Sequence, residues 1–251
     1  LSNGASIGSV GPYTVNNGST VSPSNSLSSG IVSPGDPLST LVMPAPSSTA
    51  ACYNGTAMMS GSSCTALSNL PGGSYQPGVY CGGITVNSGA VLNLSPGLDI
   101  LAGGAGLKIE GGTVTAEGVS FYITNTAGWP CTGLNGNNAF PSTVSVNSQA
   151  VVTLKAPTEG AYAGIAIFVN RALTGNNAPK PNHINGGAGF TLSGVLYFPN
   201  SPLNFSGNSD STGYMMIIAQ TVNFTGTSTL TLNNFPPEFA NNNPAFKKWV
   251  S

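Results

Sequence analysis

At 251 residues with a net charge of −1, the chain has no electrostatic field able to gather phosphates, which argues against nucleic acid and anionic lipid as partners. Only 5% of residues are charged, against about 25% in ordinary globular chains, so hydroxyls and amides must cover the surface. No run approaches the roughly 20 consecutive apolar residues of a membrane span, and membrane insertion is not expected.

Leu1 opens without the charged and apolar run of a signal sequence, so a processed or trimmed start is expected. Residues 1–32 read as first, weak strands broken by Gly and Asn, including a degenerate phrase at Tyr13–Val21. Residues 33–75 form a Pro-rich crossing and a Cys loop. Pro34, Pro37, Pro44 and Pro46 lack N–H donors, which excludes a central strand and predicts an extended segment along the outside of the body. Tyr53–Met59, between Cys52 and Cys64, reads as a loop or short helix.

Residues 76–234 carry the regular part. A phrase of two short alternating runs around a Gly, Asn or Ser turn appears at Ile84–Leu94, Leu107–Thr115 and Val144–Leu154, with a weaker copy at Val222–Leu232. The step from Ile84 to Leu107 is 23 residues, close to known solenoid repeats. That from Leu107 to Val144 is 37, with Trp129–Pro141 as the inserted loop. No copy can bury its own apolar face, so copies must stack. The predicted fold is all-β, a single domain over 1–251 built as a single-stranded parallel β-helix, or β-solenoid, right-handed by the crossover preference. Ala163–Val169 and Tyr214–Ala219 are continuous apolar runs and predict strands covered on both faces, with the Pro-rich segment or a helix as the cover. Residues 235–251 form a C-terminal tail.

Cys52, Cys64, Cys81 and Cys131 make an even set whose spacing does not resemble a zinc site, so two disulfides are expected and three pairings are open. With the low charge, this points to an extracellular or cell-surface protein. Pro77–Val86, Leu94–Leu98, Ala156–Ile165 and Leu192–Asn200, with Asp36-Pro37-Leu38 and Pro44-Ala45-Pro46, resemble the C-terminal region of TadG-like proteins, associated with the tight-adherence (Tad, or Flp) pilus of bacteria. The likeness covers about residues 5–232. It implies a secreted or envelope-anchored bacterial protein acting in pilus assembly or adhesion, without a known catalytic centre. It also implies a Cys52–Cys81 bridge, which leaves Cys64 with Cys131.

Parallel β-helices also carry polysaccharide lyases and hydrolases. Glu110 and Glu117, with Lys108, are the nearest approach to a facing carboxylate pair, but they read first as surface charges. No Asp cluster supplies a calcium cage, and neither cofactor nor metal is expected. Arg171 and His183 read as loop decoration, Gly82-Gly83 and Gly103-Gly104 as tight corners. Asn17, Asn54, Asn93, Asn204 and Asn223 open Asn-x-Ser/Thr triplets, which carry little weight in so Asn-rich a chain. Thr113/Thr115 and Thr229/Thr231 resemble the pairs of ice-binding solenoids, but their irregular spacing argues against that activity. The expectation is a non-enzymatic structural or adhesive component whose first partner is itself. In a head-to-tail filament, the tail anchors Phe239, Phe246 and Trp249 would reach the next subunit and residues 1–22 would receive it. Pilus or envelope components and surface glycans are the other partners. A polysaccharide-active enzyme and a glycan-binding adhesin are the alternatives.

Overall fold

The computed structural model describes residues 7–9, 12, 27–31, 35–54, 57–59, 64–65, 70–187, 189–207 and 215–225. They form an all-β structure in which strands pair in parallel, with one antiparallel exception. Strands β1 (Ile7–Ser9) and β2 (Leu27–Ser29) make a small parallel pair. Next come β3 (Cys52–Asn54), β4 (Ala57–Met59), β5 (Cys64–Thr65) and β6 (Gly73–Tyr75). Tyr53–Met59, expected as a loop or short helix, belongs to the antiparallel β3–β4 hairpin.

From Val79 onward the strands rotate through three sheets. Strands β7 (Val79–Cys81), β8 (Ile84–Val86) and β9 (Val91–Leu94) make one circuit, and β10 (Gly97–Ala102), β11 (Gly106–Ile109) and β12 (Thr113–Glu117) the next. The third holds β13 (Val119–Thr124), β15 (Thr143–Val146) and β16 (Val151–Lys155), with β14 (Cys131–Thr132) in its inserted loop. The fourth has β17 (Ile165–Val169), β18 (Asn182–Gly186) and the first half of β19 (Phe190–Phe198); β20 (Leu203–Gly207), β21 (Met215–Ala219) and β22 (Val222–Thr225) follow. Sheet 1 runs β4-β3-β7-β10-β13-β17-β19-β21, sheet 2 runs β8-β11-β15-β18-β20-β22, and sheet 3 runs β6-β9-β12-β16-β19. Strand β19 joins sheets 3 and 1, pairing through Phe190–Ser193 with β16 and through Val195–Tyr197 with β17.

The repeated phrase is the unit of this stacking. Leu107 is in register with Ile84 below and Val144 above, and Val114 with Leu92 and Val152. Alternation then sends Ile84, Leu107, Val144, Leu92, Val114 and Val152 into one shared core. Each large side chain buried there contributes roughly 1.5–3 kcal/mol. The interior leaves a void of only about 10 Å³, walled by apolar side chains such as Leu107, Val114 and Phe121, so it has no room for a ligand. At its N-terminal end the core closes on Tyr53, stacked on Tyr80 at 4.7 Å and edge-on to Tyr75 at 5.3 Å, with Leu70 buried nearby.

The inner strands of sheet 1 are buried on both faces, as the unbroken apolar run of β17 requires, whereas β4 at one edge is exposed and β21 at the other is mostly half-buried. Its outer face lies under the Pro-rich segment: Leu38 and Leu41 join Ile100, Tyr122, Phe168 and Tyr197 in a second apolar cluster. Arg171 fixes this strap, donating to the carbonyls of Leu38 (2.6 Å), Ser39 (2.7 Å) and Leu41 (3.1 Å). Tyr197 Oη donates to Asp36 Oδ2 at 2.6 Å and Tyr162 Oη to the Val42 carbonyl at 3.2 Å. Arg171 is thus a structural anchor and not loop decoration, whereas His183 is exposed on β18.

The disulfides are Cys52–Cys64 and Cys81–Cys131, which corrects the pairing implied by the TadG resemblance. Cys52 is in register with Val79, two residues before Cys81. That offset, about 6.7 Å along the strand and 4.8 Å across, takes Cys81 beyond bridging distance of Cys52. Cys64 and Cys131 are register partners on β5 and β14, and each reaches inward to a different strand of sheet 1.

Glycines make the corners. Gly106 sits at φ +70, and a Cβ there would lie 2.3 Å from the Thr143 carbonyl oxygen; Gly83, one circuit below, would meet Gly106 in the same way. Gly106→Ala is therefore expected to cost about 3 kcal/mol or more, from left-handed strain plus collision with the next circuit. Gly133→Ala, at φ +77 in open space, should cost only about 1–2 kcal/mol. Urea denaturation of the two variants measures the difference.

Candidate functional site

Helix is confined, among the described residues, to two single-turn 3-10 segments at Gly136–Ala139 and Gly175–Asn177, and no helix is long and apolar enough to cross a membrane. Candidate chemistry therefore has to come from the strands and from their corners. Three places stand out.

The first is the outward face of sheet 3. Thr113, Thr115 and Glu117 of β12 lie beside Val91 and Asn93 of β9 on one side, and beside Val151, Thr153 and Lys155 of β16 on the other. Thr191 of β19 continues the middle column next to Thr153, and Ser74 of β6 extends it below Asn93. The Thr113–Thr115 pair thus has registered neighbours that its spacing in the chain conceals. Thr229 and Thr231 lie outside the described residues. Within the described residues no hydrogen bond engages the hydroxyls of Thr113, Thr115, Thr153 or Thr191. Val91 and Val151 are about half exposed, at 52% and 48%.

The second is a groove of about 410 Å³ where sheet 3 turns into sheet 1. Pro96, Leu98 and Gly118 line one part and the Pro157–Tyr162 loop the other, with exposed Glu159 at its rim. Its internal hydroxyls are already engaged. Ser120 Oγ donates to the Ile165 carbonyl at 2.7 Å, and Tyr162 is held by the strap, its phenol pKa raised by burial. The groove can hold a small ring or an apolar side chain, but it brings no acid and base together.

The third is Asp99 on β10. Its register partner Phe121 points into the core, so Asp99 does too; it is 1% exposed and neither carboxyl oxygen has a hydrogen-bond partner. Burial pushes its pKa up to about 8, weakly opposed by the Gly78 N–H, which lies near the carboxyl without completing a hydrogen bond. A carboxyl titrating near neutrality is what acid–base catalysis uses, but this one is sealed off from the groove and from solvent. The same burial, reinforced by the Asp99 charge, raises the pKa of Tyr80. The sequence signal was available: in Gly97-Leu98-Asp99-Ile100-Leu101, alternation puts Asp99 on the face of Leu101.

The carboxylates weighed as a glycosidase pair do not act together. Glu110 pairs with Lys108 at 2.6 Å and Glu117 with Lys155 at 2.5 Å, at the ends of different strands. Among the described residues no group of three His, Cys, Asp or Glu side chains could hold a metal ion. All four cysteines are consumed in disulfides. Phe239, Phe246 and Trp249, expected as subunit contacts, lie outside the described residues, as does Asn17. No family model, curated protein or solved structure matches this chain.

The Asp99 carboxyl sets a pH dependence. Its folded-state pKa of about 8 lies above its ordinary value of 3.8, so the native state holds the proton more tightly. The protonated form carries no penalty below the ordinary value, and stability falls as pH rises from there through about 8, by on the order of 5 kcal/mol. Asp99→Asn should flatten this slope. Urea midpoints of both proteins at pH 5 and pH 8.5 test it: the wild type should lose stability between the two and the variant should not.

Proposed function

We propose that this protein is a right-handed parallel β-solenoid that works outside the bacterial cell as a non-enzymatic structural or adhesive element, with a role like that implied by its TadG resemblance. The observation that carries the reading is the rotation of successive strands through three sheets with parallel register kept from circuit to circuit. Such a body is a rod that presents long faces instead of a reaction centre. Two disulfides suit an oxidising compartment, and the two uncharged columns of sheet 3 suit a surface that meets other surfaces.

Head-to-tail association of copies is the specific form of the proposal, because the two ends differ. At the N-terminal end, antiparallel β4 blunts sheet 1, and the Leu70 N–H takes the Thr85 carbonyl at the edge of sheet 2. At the other end β22 is the last described strand of sheet 2, and the Phe190, Phe205 and Phe224 rings lead up to it. Unlike ends favour a heterologous contact that does not close. The Leu203 N–H bonds to the Thr221 carbonyl, so the alternate residues Val222 and Phe224 direct their backbone groups away from β20. A second reading, a glycan-binding adhesin, is favoured by the groove beside Tyr162 and Glu159.

Electron microscopy of the purified full chain tests the main reading. Filaments are expected, and Val222→Pro, which removes an outward N–H without breaking a bond to β20, should shorten them severalfold while leaving the melting temperature within a few degrees. Isolated rods at every concentration would remove self-assembly.

A further inference from the structure

The outward face of sheet 3 is regular from circuit to circuit. Its middle column reads Asn93, Thr115, Thr153, Thr191 on successive circuits, and the column beside it reads Val91, Thr113, Val151. The pairing of β9, β12 and β16 has no register shift, in contrast to the irregularity between β17 and β19 in sheet 1. The result is a two-column grid repeating about 4.8 Å along the stack and about 6.7 Å along each strand.

Six of these seven side chains are β-branched, so each is stiff at χ1 and holds its methyl and hydroxyl groups in place without further ordering cost. The threonine hydroxyls are unused within the described residues. The strap that buries the outer face of sheet 1 is built against that sheet alone, through Arg171, Tyr197 and Tyr162. Charge is kept to the border, where Glu117 and Lys155 neutralise one another.

A rigid, neutral grid of alternating methyls and free hydroxyls is complementary to a neutral, ordered array of water. Rows of oxygen atoms in ice repeat at nearly the spacing of adjacent strands, so hydroxyls on successive circuits can occupy lattice positions while the intervening methyls order the water between them. A charged macromolecule finds no counter-charge on this face. A crystalline polysaccharide would be met by aromatic rings, and the two columns contain none. We infer that this face of sheet 3 binds ice, with Thr113, Thr115, Thr153 and Thr191 as the hydroxyl contacts and Val91 and Val151 as the methyl contacts.

The test is inhibition of ice recrystallisation, together with thermal hysteresis, by the purified full chain. Inhibition is expected, and Thr115→Tyr and Thr153→Tyr should each raise the concentration needed by about tenfold or more, equivalent to about 1.4 kcal/mol of lost binding. Tyrosine suits an exposed strand position, so circular dichroism and melting temperature should match the wild type. Thr115→Val, which keeps the shape and removes only the hydroxyl, covers a failure of the tyrosine variants to fold and should also weaken inhibition. Asn204→Tyr on sheet 2 should leave it unchanged. No inhibition by the wild type, or equal inhibition by the folded sheet 3 variants, overturns the inference. Either result is independent of whether filaments form.

Discussion

Every property described above depends on parallel backbone pairing between one circuit and the next. The chain has few charges and only two ion pairs among its described residues, so long-range electrostatics does little to hold it together. Three sheets of parallel hydrogen bonds satisfy the backbone, and because the register is kept, like residues stack on like. Inward columns become a continuous apolar core, and outward columns become ordered faces. A slip of one residue in any strand would turn both inside out, which is why the corners are built from glycines such as Gly83 and Gly106 that fit against one another and no other residue.

The three faces are not equivalent, and the difference arises from the residues that alternate outward. On sheet 1 the outward residues are apolar, as with Ile100, Tyr122 and Phe168, and they recruit the Pro-rich strap. On sheet 2 they are amides, hydroxyls and single charges, among them Lys108, Ser145, His183 and Asn204. On sheet 3 they are mostly β-branched, with Asn93 in the middle column and Glu117 and Lys155 at the border. One repeating core pattern thus supports three outer surfaces of different chemistry, one used for cohesion and two left to solvent.

Much of this was readable from the chain. The phrases at Ile84–Leu94, Leu107–Thr115 and Val144–Leu154 announced paired strands with a corner between them, and the unbroken run at Ile165–Val169 announced a strand covered twice. What stayed hidden depended on partners distant in sequence. The two terminal nitrogens of Arg171 donate to carbonyls more than 129 residues away, and a carbonyl has no sequence signature. The cysteine pairing turns on a two-residue offset between β3 and β7 that spacing does not encode. The columns of sheet 3 were obscured because the inserted loop at Trp129–Pro141 stretches the interval between β12 and β16, although in space the two strands are neighbours.

The strap has a mechanical consequence. Parallel hydrogen bonds between circuits lie along the axis of the stack, so a pull on its ends would load every interface in series and open the weakest first. The strap runs lengthwise across them, from Cys52 beside β7 to Arg171 after β17 and Tyr197 on β19. It therefore ties several circuits together lengthwise, and Cys81–Cys131 adds a covalent tie between β7 and the loop after β13. A body reinforced in this way is suited to bearing force along its length.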